Sequence, residues 1–340
     1  MPRAPKQPII KQELLNIPKE FIRFATPKEV AIYRAEKLKC QKLVEIGAGI
    51  GGQTLAFSKA CKQVLAIELD KKKAGLLINN IEKLGIKNIQ VLIADALSQD
   101  TINKIKDFQP NIIFIDTERP EKSSRTLKEI KPDIHKLIET YSKITEKLAI
   151  EIPPFTQDIQ TLKYKFEQEF LSLNNQLNRL TLYFNTLAQT EKSAISLPSK
   201  EIIIQSEKEI KAQTASSTKT FEYLYSIDPT IVVANLTSEL ANKFHSEILQ
   251  LNKPVLLSKD LIHSNFLTPY KIQRTCENKP EKIMQNIKQI GAGKIILRYT
   301  IDPKDYWKER NMYESQLVGN KELNLFKNES QKEAILCSKL

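Results

Sequence analysis

Four of the nine glycines in this 340-residue chain fall within six residues, in the stretch Leu43-Val-Glu-Ile-Gly-Ala-Gly-Ile-Gly-Gly-Gln-Thr54. Glycine lacks a Cβ and reaches positive φ without strain, so a chain that uses it sparingly and then clusters it brings its backbone close to something. The cluster directly follows an apolar run and precedes a helical pattern. In that position the close partner is the polar part of a nucleotide-like cofactor, held by exposed N–H groups at a helix N-terminus.

Two cofactor patterns fit the spacing. Gly47-x-Gly49-x-x-Gly52 matches the dinucleotide fingerprint, with Glu68 at the end of the next apolar run available to a ribose hydroxyl. The same residues resemble the S-adenosylmethionine (SAM) loop of class I methyltransferases, acid-x-Gly-x-Gly-x-Gly, here Glu45, Gly47, Gly49 and Gly51. Two acids favour SAM. Glu45 stands where a dehydrogenase strand is apolar and where the methyltransferase pattern places an acid toward the methionine end. Asp95, with Ala96 after it, closes a third strand where that pattern places an acid near the adenine amine. A βα turn without a ligand would leave three strand-end acids to coincidence.

Composition narrows the class. Hydrophobic content of 41% and charged content of 27% describe a soluble globular chain long enough for two domains. No apolar stretch approaches the ~20 residues that span a bilayer, and Met1-Pro-Arg-Ala-Pro-Lys6 lacks a signal-peptide core, so the expected location is cytoplasmic. Cys40, Cys61, Cys276 and Cys337 are far apart in sequence, without a C-x-x-C pair, so no metal site and no disulfide framework are expected. Net charge is +12, which points to a polyanionic partner such as RNA. The excess is uneven: residues 1–42 carry ten Lys or Arg against four Glu, whereas residues 191–340 carry 22 against 18 acids.

Alternation of strand and helix patterns predicts an α/β, Rossmann-like domain with a mostly parallel sheet over 41–190. A helical segment (1–40) precedes it, with Thr26-Pro27-Lys28-Glu29 reading as a capping box. Strands are expected at 42–46, 64–68, 89–94, 111–116 and 148–152. Glu45, Glu68, Asp95, Asp116 and Pro153 all fall on their carboxyl edge, where ligands gather in such sheets. Phe166–Phe184 alternates about Asn174-Asn175 and reads as a hairpin. Residues 185–220 read as a linker, with 201–205 as an edge strand. An α+β module fills 200–340, with a helix over 236–251 and a hairpin over 323–337.

This order of pieces resembles a known family. Ala25-Thr-Pro-Lys-Glu-Val-Ala ahead of the glycine loop, Ile115-Asp-Thr-Glu-Arg119 at strand four, and the Ser172-Leu-Asn-Asn hairpin are similar to class I methyltransferases carrying a C-terminal THUMP-like domain. Tyr223-Leu-Tyr-Ser-Ile-Asp-Pro and Lys294-Ile-Ile-Leu-Arg-Tyr-Thr-Ile-Asp-Pro303 match its C-terminal part. The entry segment and glycine loop also resemble trimethylguanosine-synthase-like enzymes. The resemblance implies SAM-dependent methylation of tRNA or rRNA, with guanine N2 as the first expectation. Strand four departs from the family's Asp-Pro-x-Arg: the chain has Asp116-Thr117-Glu118-Arg119, without the proline that stiffens this turn.

The expected roles follow. Asp116 orients an N–H or accepts its proton, Arg119 grips phosphate, and Phe155 stacks a flipped base, the bland alternative for Phe155 being an ordinary core aromatic. In the C-terminal module Lys271, Arg274, Lys282, Lys288 and Arg298 form the expected RNA-gripping surface, with Tyr270 and Tyr299 beside them. Two alternatives stay open: a protein or small-molecule methyltransferase, and a SAM- or RNA-binding protein without catalysis. No cysteine lies between Cys61 and Cys276, which sets aside pyrimidine C5 chemistry.

Overall fold

A computed structural model describes residues 25–117, 126–208, 210–330 and 332–340. The chain divides after Lys200 into two compact units.

In the first unit, helix α1 (Lys28–Lys37) leads into β1 (Lys42–Ile46), α2 (Thr54–Ala60), β2 (Gln63–Glu68), α3 (Lys71–Lys83), β3 (Ile89–Ile93), α4 (Gln99–Phe108) and β4 (Ile112–Asp116). It continues through α5 (Ile134–Tyr141), β5 (Leu148–Ile152), β6 (Phe166–Leu173), β7 (Leu177–Phe184) and β8 (Lys192–Leu197). Their order in the sheet is β3-β2-β1-β4-β5-β7-β6-β8. β1 to β5 run parallel, β7 is antiparallel to both neighbours, and β8 is parallel to β6. β1, β2, β4 and β5 read as near-continuous apolar runs because both faces of a parallel sheet are covered. One face packs Ala31 and Ala35 of α1, Leu38 directly after it and Phe57 of α2 on Leu43, Phe114 and Tyr183. On the other, Leu77 and Ile81 of α3 meet Ala48 and Ala66.

Local chemistry sets the boundaries. Asp70 caps α3 by accepting from the N–H groups of Lys72 and Lys73, and Ser98 caps α4. Asn174 and Asn175 take φ of 52° and 58°, the two left-handed positions that close β6 and β7 into a tight hairpin. The capping box does not form. Pro27 is the N-cap of α1, and no side chain caps the helix. The segment is instead packed on the glycine loop: a Cβ on Gly52 would meet the Thr26 nitrogen at 3.2 Å. The expected linker is partly sheet, because Lys192–Leu197 enters as β8 beside β6.

The second unit begins with β9 (Glu201–Ile204). It continues through β10 (Tyr223–Ile227), α6 (Pro229–Ala234), α7 (Thr237–Lys243), β11 (Glu247–Leu249), β12 (Val255–Ser258) and β13 (Leu267–Glu277). The chain then forms α8 (Pro280–Ile290), β14 (Ala292–Leu297), α9 (Tyr306–Glu314), β15 (Lys321–Asn328) and β16 (Glu333–Lys339). Its seven-stranded sheet has the order β11-β12-β10-β13-β16-β15-β14 and is antiparallel except for β14 on β15. The single helix expected over 236–251 is one short helix, α7, followed by a strand, with α6 ending just before the span. Asn235 at φ 58° separates the helices, and Glu247–Leu249 pairs with β12. Ile283 and Ile287 of α8 and Tyr313 of α9 share one core with Leu323 and Leu325 of β15. Tyr270, Phe326 and Ile335 form the core of the opposite sheet face.

Among the described residues no helix is long and apolar enough to cross a membrane. Among them, no cluster of His, Cys, Asp and Glu could hold a metal ion. Cys40 and Cys61, distant in sequence, place their sulfur atoms 3.9 Å apart as free thiols.

Candidate functional site at the carboxyl edge of the parallel sheet

The glycine loop is shaped by contacts that exclude side chains. Gly47, Gly49 and Gly51 all have positive φ, at 80°, 57° and 94°. A Cβ on Gly47 would lie 2.2 Å from the carbonyl oxygen of Asp116, so the loop rests on the end of β4. The N–H groups of Gly47 and Ala48 both donate to the Ile67 carbonyl at the end of β2. Glu68 closes the turn: Gly49 N–H donates to its Oε2 at 2.7 Å and Asp70 N–H to its Oε1 at 2.8 Å. Each carboxylate oxygen accepts more than one hydrogen bond, so this geometry leaves Glu68 able to take a sugar hydroxyl as well.

Glu45 is the anomaly of the site. It is 1% exposed, and its Oε2 has no hydrogen-bond partner among the described residues. The Thr54 hydroxyl lies beside this carboxyl and is equally buried. Burial pushes the Glu45 carboxyl up to about 8; the Thr54 hydroxyl and the Arg34 guanidinium pull it down, while Asp116 and Glu68 add to the rise. A buried carboxyl whose nearby arginine is already paired with another acid is costly in a scaffold and suits a site that receives a cation.

On the adenine side of the expected site, Asp95 is exposed and its Oδ1 accepts from Leu97 N–H at 2.8 Å. Ala96 is buried, and its carbonyl accepts a hydrogen bond from the Tyr141 hydroxyl of α5. Burial, with Asp95 nearby, raises the Tyr141 phenol and keeps it a neutral donor. Asp116 is half-buried at the end of β4, in register with Glu151 of β5. The Thr117 hydroxyl donates to the Glu151 carbonyl at 2.7 Å. Phe155 follows β5 and is 52% exposed, which corrects its reading as a core aromatic. Glu45, Gly47, Gly49, Gly51, Glu68, Asp95, Ala96, Asp116 and Phe155 therefore collect at the carboxyl ends of β1 to β5. Arg119 lies outside the described residues.

Sequence reasoning missed the charged layer beneath α1. Glu151 is bound by Arg34 of α1 and, at 2.7 Å, by Arg179 of β7. Arg34 also donates to Gln53 of the glycine loop at 3.0 Å and stacks over Phe114. Beside this triad, Glu169 accepts from the Tyr33 and Tyr183 hydroxyls and pairs with Lys37 at 2.5 Å. The partners lie 117 and 136 residues apart in sequence for Arg34–Glu151 and Tyr33–Glu169, so no local pattern announces them.

In the second unit the expected RNA-gripping residues do not form one patch. Arg274 reaches α8, bonding Gln289 and, at 3.3 Å, Asn286; Lys282 and Lys288 are exposed on the same helix. Lys271 is exposed on β13. Arg298 lies on the opposite sheet face, where its Nε donates to Asn324 at 2.8 Å and its guanidinium covers the Tyr270 ring. Tyr270 is buried, and the Tyr299 hydroxyl donates to Glu309, so neither is an open stacking surface.

Comparison with known proteins agrees with this architecture. Residues 24–153 match the family model described as ribosomal RNA adenine dimethylase, which is less than half of the chain. A Methanococcus vannielii protein described as a cobalt-precorrin-6B C(15)-methyltransferase (decarboxylating) is 34% identical over 93 residues, covering 26% of this chain and 49% of the relative. A ribosomal RNA small subunit methyltransferase A of Desulforapulum autotrophicum is 26% identical over 93 residues, covering 26% and 33%. The chain thus spans half or less of the length of these curated relatives. Among solved structures, a Porphyromonas gingivalis W83 protein assigned to the methyltransferases superposes with a TM-score of 0.76 at 17% identity, covering 94% of this chain and 82% of that one. The first unit is a class I methyltransferase fold, and the cofactor of this fold that its loop fits is SAM.

Proposed function

We propose that this chain is a cytoplasmic SAM-dependent methyltransferase that modifies a purine base of RNA. The observation that carries the reading is the buried Glu45 carboxyl, one oxygen of which has no partner among the described residues, behind a three-glycine turn, with Asp116 and the exposed ring of Phe155 on the same sheet edge. The loop N–H groups and Glu45 would hold the methionine end of SAM, Glu68 its ribose, and Asp95 with Ala96 its adenine. Bound SAM supplies an electrophilic methyl group.

The remaining work falls to the protein. Asp116 orients an acceptor N–H and takes its proton late, because in-line displacement depends mainly on placing the nucleophile at attack distance. Phe155 offers a ring face to a base turned out of its stack. An RNA acceptor is supported by the match to the adenine dimethylase model and by the small-subunit RNA methyltransferases among the relatives. The resemblance read from the sequence favours guanine N2, and the family model names adenine. In both cases the acceptor is a purine, and we assign Asp116 to its exocyclic amine. The second unit, read as THUMP-like, would grip the RNA through Lys271, Arg274, Lys282 and Lys288 on the α8 side of its sheet. Arg298, turned to the other face, makes at most a separate contact.

A second reading has specific support: three of the relatives are described as cobalt-precorrin methyltransferases, which favours a small-molecule acceptor. One experiment separates the two. Labelled methyl from SAM is offered to RNA lacking native modifications, with Asp116→Ala alongside, and the RNA is digested to nucleosides. Label in one purine nucleoside, lost in the variant, is the expected result. No label in RNA, with SAM binding intact, moves the acceptor to a small molecule. Reversing charge at Lys282 and Lys288 should weaken RNA binding and flatten its salt dependence by about two phosphate contacts; unchanged binding would remove α8 from the interface.

A further inference from the structure

We propose that Thr117 is the positioning residue for Asp116, its side-chain clamp standing in for the proline that the family pattern places there. The inference deepens the reading of the site given above and rests on it for the reaction, though not for the clamp itself. Proline stiffens a turn through its ring, which fixes φ. Thr117 has no such ring, yet its side chain does equivalent work from outside the backbone. It is 6% exposed, and its hydroxyl donates to the Glu151 carbonyl across the gap between β4 and β5 at 2.7 Å.

The anchor is itself held on several sides. Glu151 is the last residue of β5 in register with β4, opposite Asp116. Its carboxylate is held by Arg34 and Arg179, and the three side chains are only 1%, 3% and 5% exposed for Arg34, Glu151 and Arg179. On its other side the end of β4 rests against the glycine loop, where the Asp116 carbonyl leaves no room for a Cβ on Gly47. Asp116 therefore sits between a glycine contact and a threonine clamp. Without the clamp, the strand end loses one of the contacts that hold it, while the cofactor loop keeps its own bonds to Ile67 and Glu68. The predicted signature is a loss in turnover with little loss in cofactor affinity.

The test compares wild type, Thr117→Val, which is nearly isosteric, and Thr117→Ser, which keeps the hydroxyl. Two quantities are read on the full chain: hydrogen exchange at the end of β4, and methyl transfer with SAM affinity measured separately. Thr117→Val should raise exchange at residues 115–117 and lower kcat, each about tenfold, from loss of one buried hydrogen bond and of acceptor alignment. SAM affinity should stay within about threefold, and Thr117→Ser should restore both readouts. Wild-type exchange in Thr117→Val, or a serine variant as impaired as the valine, overturns the proposal. A wild type that transfers no methyl to RNA refutes the assigned function instead, and the exchange comparison still decides the clamp.

Discussion

Two buried carboxylates in the same parallel sheet have opposite surroundings. Glu151 on β5 is enclosed by two arginines, and every charge of that triad meets an opposite one. Glu45 on β1 is just as deeply buried, keeps an oxygen without a partner among the described residues, and has its carboxyl pushed up to about 8 by that burial. The first arrangement fixes the packing of α1 on the sheet. The second is unfinished, and a folded protein tolerates an unfinished charge where a ligand completes it. The contrast teaches that burial of an acid does not reveal its role; the completeness of its partners does.

The largest test of this contrast removes the paired member. Glu151→Ala should cost about 3–5 kcal/mol in denaturant unfolding, because buried Arg34 and Arg179 lose the carboxylate that pairs them. A loss below about 1 kcal/mol would mean that the triad is not the fastening described.

Removing the unpaired member should do the reverse to ligand-free protein. The folded value of Glu45 lies above its unfolded one, so its contribution to stability is fully present below about pH 4 and declines as pH rises toward 8. Glu45→Gln has no such decline, and its stability relative to wild type should grow by about 3 kcal/mol between pH 4 and pH 7. A pH-independent difference would place a counter-charge beside Glu45. SAM affinity should fall in the same variant.

The smallest effect concerns a group of mixed character, at the site yet fully paired. Tyr141→Phe removes the hydroxyl that fixes the Ala96 carbonyl. Stability should drop by about 1 kcal/mol and SAM affinity several-fold, read by thermal unfolding and calorimetry. Unchanged SAM affinity would detach Ala96 from the cofactor.

How much of this was legible follows from the same contrast. Strands buried on both faces announce themselves as apolar runs, and glycines at positive φ and an Asn-Asn turn announce close approach and a hairpin, so the strands of the parallel sheet and the site edge could be read from residues 42–184, though not the order of the strands. Charges buried against distant partners leave no such trace. Glu167 and Glu169 on β6 and Arg179 on β7 are charged residues of a hairpin whose burial comes from partners on distant elements, Tyr33 and Lys37 of α1 and Glu151 of β5. β8 was hidden for the same reason: Lys192-Ser-Ala-Ile-Ser-Leu197 reads as polar linker, yet Ser193 is buried and donates to Glu167 at 2.6 Å. In the second unit sequence proximity misled in the other direction. Arg274 and Arg298 are expected on one surface, but Arg274 reaches α8 and Arg298 turns to the opposite face.

The central claim, that buried Glu45 marks the port for the cationic end of the cofactor, is tested most directly by calorimetry of SAM binding at pH 7. Titrations in buffers of different ionisation heat count the protons exchanged. A Glu45 carboxyl that is protonated in the ligand-free protein and ionised beside the cofactor should release close to one proton per SAM bound, and Glu45→Gln should release none. Binding without proton release in wild type, or equal release in the variant, would contradict the account.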